Sequence, residues 1–393
     1  MKSSFKHLMP QALSLTQGGR LIEATRAIQA ALGAAVAAPA ATPGFREIVD
    51  IVAREVPAAA PATPDTRSGS PSGSPPDTPP DTPPDTAPVK PDSKPSGSTG
   101  PGRFIAGRHT TRAGARDYKL FVPPGADGAG GEARPLMVML HGCTQDPDDF
   151  AAGTRMNEAA ARDRFFVLYP AQAQDHNPQR CWNWFKHNHQ ARDRGEPAIL
   201  ASMVRALMQE HGIDPRRIHV AGLSAGGAMA AILGDAYPDL FAAVGVHSGL
   251  ATGAARDVAS AFAAMQGRAA STASTAGGAG AAGRRGQRPP TIVFHGDQDR
   301  TVHPVNAEHV LAPGSDTPAT VLEQVSGRQG RPFTRHIHRV ADGSVVAEHW
   351  VVHGGGHAWS GGSPQGSYAD ASGPDATEEM LRFFSAHQLP VKH

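Results

Sequence analysis

The sequence predicts an α/β fold in residues 103–393: a mainly parallel central sheet with helices on both faces. Three observations predict it. Short apolar runs alternate with helical stretches from about Arg103 onward, as strands and crossover helices do. The first hundred residues lack that alternation, so they stand apart from the sheet. One Gly-rich turn has strand-like residues before it and helix-like residues after it, the arrangement found at the rim of such a sheet.

The elements follow in chain order. Between residues 8 and 32, Leu8, Ala12, Leu15, Leu21, Ile22, Ala24, Ile28, Ala31 and Leu32 recur at helical spacing around Gly18-Gly19, which predicts a short helical hairpin over 1–33. Residues 34–102 are dominated by Pro, Ala, Thr, Ser and Gly, and 75–86 repeat Pro-Pro-Asp-Thr, so this stretch is expected to be a disordered, extended linker. Strands are predicted at 118–122, 136–140, 165–169, 218–221, 243–246, 292–294 and 349–352. Helices are predicted at 155–162, 198–211, 225–236 and 375–384. Residues 267–289 are rich in Ala, Gly, Ser and Thr and then basic, which predicts a flexible insertion rather than an apolar lid.

Composition excludes several classes. Lys+Arg at 37 against Asp+Glu at 36 leaves a net charge of +1, with no basic field for nucleic acid or an anionic membrane. No run approaches the roughly 18 apolar residues of a membrane-spanning helix. The first thirty residues carry Lys2, Lys6, Arg20 and Arg26 but no apolar export core, so a cytoplasmic protein is expected, with a secreted one as the alternative. The two cysteines, Cys143 and Cys181, lack paired metal-ligand spacing, and neither a metal site nor a cofactor is expected. They are read either as a disulfide or as two thiols, since a missing export signal argues one way and their place beside two site-forming loops the other.

The chemistry concentrates at Gly222-Leu223-Ser224-Ala225-Gly226, a Gly-x-Ser-x-Gly turn between strand and helix that exposes a nucleophilic serine. A serine hydroxyl needs an imidazole to take its proton and a carboxylate to orient that imidazole, in the chain order Ser, acid, His. Asp297 and Asp299 both follow the strand at 292–294, and Asp299 is favoured because a residue further past the strand reaches over to the histidine. His357, after three glycines, is the preferred base and His353 the lesser candidate, while His336, His338 and His349 sit in strand-like alternation. The oxyanion donors are expected to be the backbone amides of Ala225 and of Cys143, in the turn after 136–140. Trp182 and Trp184 fit a core plug or a substrate wall equally, and Trp359, beside His357, is the better candidate for substrate contact.

Five segments, His141 to Gln145, Cys181 to Phe185, Gly222 to Gly227, His295 to Val302 and Gly355 to Trp359, resemble the esterases related to poly(3-hydroxybutyrate) (PHB) depolymerases. The resemblance implies an α/β-hydrolase fold and a triad of Ser224, Asp299 and His357, the acid standing three residues after Gly296. It implies a polyester or small ester as substrate, with feruloyl or acetyl esters as the alternative. The ends look more like the intracellular branch than the secreted members, so residues 1–33 are expected to tether the enzyme at a polymer granule. A rival of another class is a non-catalytic granule scaffold.

Overall fold

Leu136, Val138 and Leu140 turn to one face of their strand and Met137 and Met139 to the other, and all five are buried. A strand buried on both faces needs helices on both sides, and the chain supplies them. The computed structural model describes residues 102–126, 132–268, 288–311, 319–325 and 330–391. The hairpin expected at 1–33, the linker up to residue 101 and most of the insertion expected at 267–289 lie outside the described residues.

A β-hairpin opens the domain, β1 (Arg103–Thr111) against β2 (Gly114–Val122). Then come β3 (Arg134–Leu140), α1 (Pro147–Thr154), α2 (Met156–Asp163), β4 (Phe166–Pro170), α3 (Gly195–His211), β5 (Ile213–Leu223), α4 (Ala225–Ala236) and β6 (Ala243–His247). The chain continues through α5 (Val258–Met265), β7 (Thr291–Gly296), α6 (Val305–Leu311), β8 (Ala319–Val325), β9 (Phe333–Arg339), β10 (Val345–Val352) and α7 (Ala376–Ser385). The ten strands form one sheet in the order β1-β2-β4-β3-β5-β6-β7-β10-β9-β8. Its central six, β4 to β10, are parallel, and the outer strands at each side are antiparallel.

The side chains of α3, α4, α5 and α6 pack on one face with Leu136, Val138 and Leu140, while α1, α2 and α7 cover the other with Met137 and Met139. All seven predicted strands and all four predicted helices are present, with ends shifted by a few residues. The additions are β1, β8 and β9 at the sheet edges, α1, α5 and α6, and a separate short pairing of Trp359–Ser360 with Ala369–Asp370. In α1 the signal was available: Asp146 accepts from the amides of Asp148 and Asp149 as an N-cap, and Pro147 occupies the first helical position. The loops after β3, β5, β7 and β10 leave the carboxyl ends of the central parallel strands, with β6 between β5 and β7, where an open α/β sheet binds ligands.

Candidate active site

Ser224 sits between β5 and α4 with φ 57° and ψ −118°, a conformation that L-residues adopt only when their surroundings impose it. Its amide donates to the carbonyl of His247 at the end of β6, 2.8 Å away. The turn is tight enough that a Cβ on Gly226 would lie 2.0 Å from the carbonyl oxygen of Leu140, and one on Gly222 would lie 2.4 Å from the carbonyl carbon of Gly226. Neither position admits a side chain, which is the physical reason for both glycines.

The loop after β7 carries the two acids, and the structure gives them different partners. Asp299 Oδ2 lies 2.7 Å from His357 Nδ1, and Asp299 Oδ1 accepts from the amides of Thr301 and Val302, each at 2.9 Å. A carboxylate only accepts, so Nδ1 of His357 carries the hydrogen and Nε2 is left with a lone pair. His295 adds a further contact: its Nε2 lies 2.9 Å from the carbonyl of Val302 and 3.4 Å from Asp299 Oδ2. Burial pushes the Asp299 carboxyl up, but hydrogen bonds from His295 and His357 outweigh it and hold the group well below the usual carboxylate range.

Asp297 instead holds His353, whose Nδ1 is 2.9 Å from Asp297 Oδ2 and whose Nε2 is 2.8 Å from Thr334 Oγ1. The Gly354 amide also donates to Asp297. With both ring nitrogens engaged, His353 has no lone pair left for a serine proton. His353 thus ties the loop after β10 to the loop after β7 through Asp297 and to β9 through Thr334.

The turn after β3 is held from several directions. The Gln172 amide donates to His141 Nε2 at 3.1 Å, so Nδ1 bears the hydrogen and donates to the Gly142 carbonyl at 2.7 Å. Complete burial draws the His141 pKa down to about 4 and keeps the ring neutral. Because a trans peptide points its C=O and N–H in opposite directions, fixing the Gly142 carbonyl aims the Cys143 amide away from His141. The flanking amides are occupied, Gly142 by Gln145 Oε1 at 2.9 Å and Thr144 by the Gln179 carbonyl at 2.7 Å. The Cys143 amide has no such acceptor among the described residues. Ala225, the first residue of α4, presents an amide that precedes the first intrahelical bond.

Cys143 and Cys181 are joined by a disulfide, which resolves the two readings in favour of a bridge. Next to it, Trp182 Nε1 donates to the His141 carbonyl at 3.1 Å. Behind both lies a buried polar cluster in which Glu196 accepts from Arg116, Gln172 and Asn183. Burial raises the Glu196 pKa, but the nearby His189 ring and the hydrogen bonds from Asn183 prevail and bring it down to about 2.

Burial takes Trp182 and Trp184 to the core-plug side of their two readings, and Trp359, the better candidate for substrate contact, is buried as well. Trp182 is 0% exposed, Trp184 5% and Trp359 1%. Trp182 is spent on His141, Trp184 packs edge-on to Phe185, and Trp359 stacks on His247 and donates to Thr377 Oγ1. They support the site from behind. Sequence reasoning also missed the side chains of His141 and His295, although each directly follows a strand's apolar run and precedes a glycine, a position that turns the ring back into the rim.

The family described as Esterase PHB depolymerase matches residues 116–314. Among curated proteins, the poly(3-hydroxyalkanoate) depolymerase C of Paucimonas lemoignei is 32% identical over 231 residues, 57% of this chain and 54% of that protein. Feruloyl esterase B of Thermothelomyces thermophilus is 32% identical over 214 residues, 52% of this chain and 72% of that protein. The chain thus spans about half the length of the depolymerase it matches. Among solved structures, the acetyl xylan esterase from Aspergillus awamori superposes with a TM-score of 0.53 at 18% identity, covering 72% of this chain and 99% of that one, a likeness of fold. The family match runs from β2 through α6, about half of the sequence, and takes in the Ser224 turn, both cysteines and the Asp299 loop: the chain belongs to the esterase PHB depolymerase family.

Proposed function

We propose that this protein is a serine carboxylic ester hydrolase that cleaves poly(3-hydroxybutyrate) or its oligomers through an acyl-enzyme. The observation that carries the reading is the 2.7 Å hydrogen bond that sets His357 on Asp299, on the rim where the strained turn holds Ser224. In the reaction, Ser224 Oγ attacks the ester carbonyl while His357 Nε2 takes its proton, and the imidazolium is stabilised by the ionised Asp299. The Cys143 and Ala225 amides receive the oxyanion, an effect worth on the order of 10²–10³ in rate per donor. The tetrahedral species collapses with proton transfer from His357 to the leaving alcohol, and water activated by the same ring hydrolyses the acyl-enzyme. No step needs a metal or cofactor.

The names of the two relatives leave polyester and feruloyl ester as competing substrates, and the triad treats them alike. Purified protein is therefore assayed in parallel on amorphous polymer, soluble hydroxybutyrate oligomers and methyl ferulate, with Ser224→Ala as control. Oligomer or polymer cleavage well above ferulate release supports the proposal; the reverse order selects the feruloyl reading. Fluorophosphonate labelling that is lost in Ser224→Ala separates either enzyme from a non-catalytic scaffold.

Among the described residues no helix is long and apolar enough to cross a membrane. The Cys143–Cys181 bridge favours an oxidising compartment, and so the secreted alternative, over a cytoplasmic granule. Thiol titration of denatured protein taken from its natural source decides: no free thiol supports secretion, whereas two would restore the granule-tethered reading for residues 1–33.

A further inference from the structure

We propose that Tyr368 determines specificity by receiving the alcohol half of the ester, and that it favours branched or aryl alcohols over methyl-sized ones. The inference rests on the serine-esterase reading above and adds to it the group that the leaving alcohol meets.

Tyr368 is 46% exposed, in contrast to the buried tryptophans nearby. A single aromatic ring in water is ordinary, but the place of this one is not. Its ring stands edge-on to His357, with centroids 6.4 Å apart and planes at 81°. Its hydroxyl is 3.4 Å from Thr144 Oγ1, and Thr144 follows Cys143, the residue whose amide faces the oxyanion. The ring thus spans the mouth of the site from the base to the oxyanion turn. His357 must deliver its proton to the leaving oxygen, so the alcohol departs on the side of that imidazole, where this ring stands.

The backbone holds the ring there at a cost. Tyr368 has φ 50°, a left-handed conformation that is rare outside glycine and asparagine and is kept only when neighbours over-determine it. They do. The Trp359 amide donates to the Tyr368 carbonyl at 2.6 Å, and the Ser367 amide and hydroxyl both donate to the Asp149 carboxylate, at 2.7 and 2.6 Å. Gln145 Nε2 donates to Asp149 Oδ2 at 2.8 Å and to the Ser367 carbonyl at 3.1 Å, while Gln145 Oε1 accepts from Gly142. One glutamine therefore grips the oxyanion turn with one end and the Tyr368 loop with the other. A tyrosine ring fixed in this way offers contact area with little entropy left to lose on binding.

The test varies the alcohol, with the acyl group held constant between the two butyrates. For Tyr368→Ala, and for Tyr368→Asn, whose side chain tolerates the left-handed backbone, kcat/KM is compared with wild type on methyl butyrate, phenyl butyrate and the 3-hydroxybutyrate dimer. An apolar contact of this kind is worth about 10- to 100-fold. We expect that loss on the phenyl ester and the dimer, less than about threefold on methyl butyrate, and near wild-type values in Tyr368→Phe. Under conditions where deacylation limits turnover, kcat on phenyl butyrate stays unchanged, because the alcohol has already left. An equal fall on all three esters, or no fall on any, overturns the proposal. If wild type neither labels with fluorophosphonate nor hydrolyses any of the esters, it is the serine-esterase reading that fails.

Discussion

Asp297 and Asp299 stand two residues apart on one loop and each holds a histidine, yet only one of those histidines keeps a ring nitrogen without a partner among the described residues. Their substitutions should therefore diverge. Asp299→Asn leaves an amide that can donate to Nδ1 and turn His357 into the wrong tautomer, so kcat on a short-chain ester should fall about 10³- to 10⁴-fold with the fold intact. Asp297→Asn should keep kcat within a few-fold and lower the melting temperature by the equivalent of about 1 kcal/mol, the worth of a part-exposed hydrogen bond. Equal losses of kcat in both variants would contradict the pairing. The sequence favoured Asp299 by its reach past the strand and by family likeness, but that His353 is occupied on both sides is visible only once Thr334, on a strand absent from the sequence reading, is beside it. The tryptophans teach the converse. Composition marks an aromatic residue as valuable, but the indole of Trp182 is committed to His141, 41 residues away, and no local pattern encodes that partner.

At the scale of elements, the parallel strands were readable because burial on both faces turns each into a short continuous apolar run, as in Leu136 to Leu140. The edge strands were not: β1 reads Arg-Phe-Ile-Ala-Gly-Arg-His-Thr-Thr, with every residue partly exposed or exposed, and only pairing with β2 makes it a strand. The turn after β3 depends on several elements together, and that dependence can be tested. Removing the bridge with Cys143→Ala plus Cys181→Ala takes away the covalent tie between the turn after β3 and the 179–182 segment, leaving the Trp182 and Thr144 hydrogen bonds, with the amide itself in place. We expect kcat to drop roughly tenfold with KM little changed, since the lost precision acts on the transition state. A change confined to KM would place the bridge among binding devices instead. Gly226→Ala is expected to be far harsher, because its Cβ would drive into the backbone of Leu140 at the end of β3. Loss of folded protein on expression is the expected result, and a folded, active variant would contradict it.

For the whole domain, acid is the condition to which the structure is most exposed. Burial holds the pKa of His141, His219 and His349 near about 4, and burial, followed by the nearby His295 and His357, takes His247 to about 3, all from an ordinary 6.5. The unfolded chain takes up these protons as pH falls through 6.5, and the folded chain refuses them until about pH 4, so stability declines across that window as pH falls. Each fully buried ring contributes on the order of 3 kcal/mol near neutral pH that is lost by the bottom of the window. The depressed Glu196 and Asp299 continue the same trend below the ordinary carboxylate range. Calorimetric melting temperatures should change little between pH 8 and 7 and fall steadily from pH 6.5 to 4. A melting temperature independent of pH across that interval would mean that these rings are not buried neutral.

Gln145 has a consequence for how such an enzyme can diversify. Since the same side chain braces both the turn proposed to hold the oxyanion and the loop proposed to meet the departing alcohol, the proposal makes the two properties mechanically geared. Remodelling the 363–370 loop toward a new ester would disturb the rate apparatus unless Asp149 and Ser367 were kept as its footing. Variation at position 368 alone leaves that footing untouched, and on the proposal above it is there that a lineage or a designer can change which alcohol is favoured while the turn after β3 stays braced.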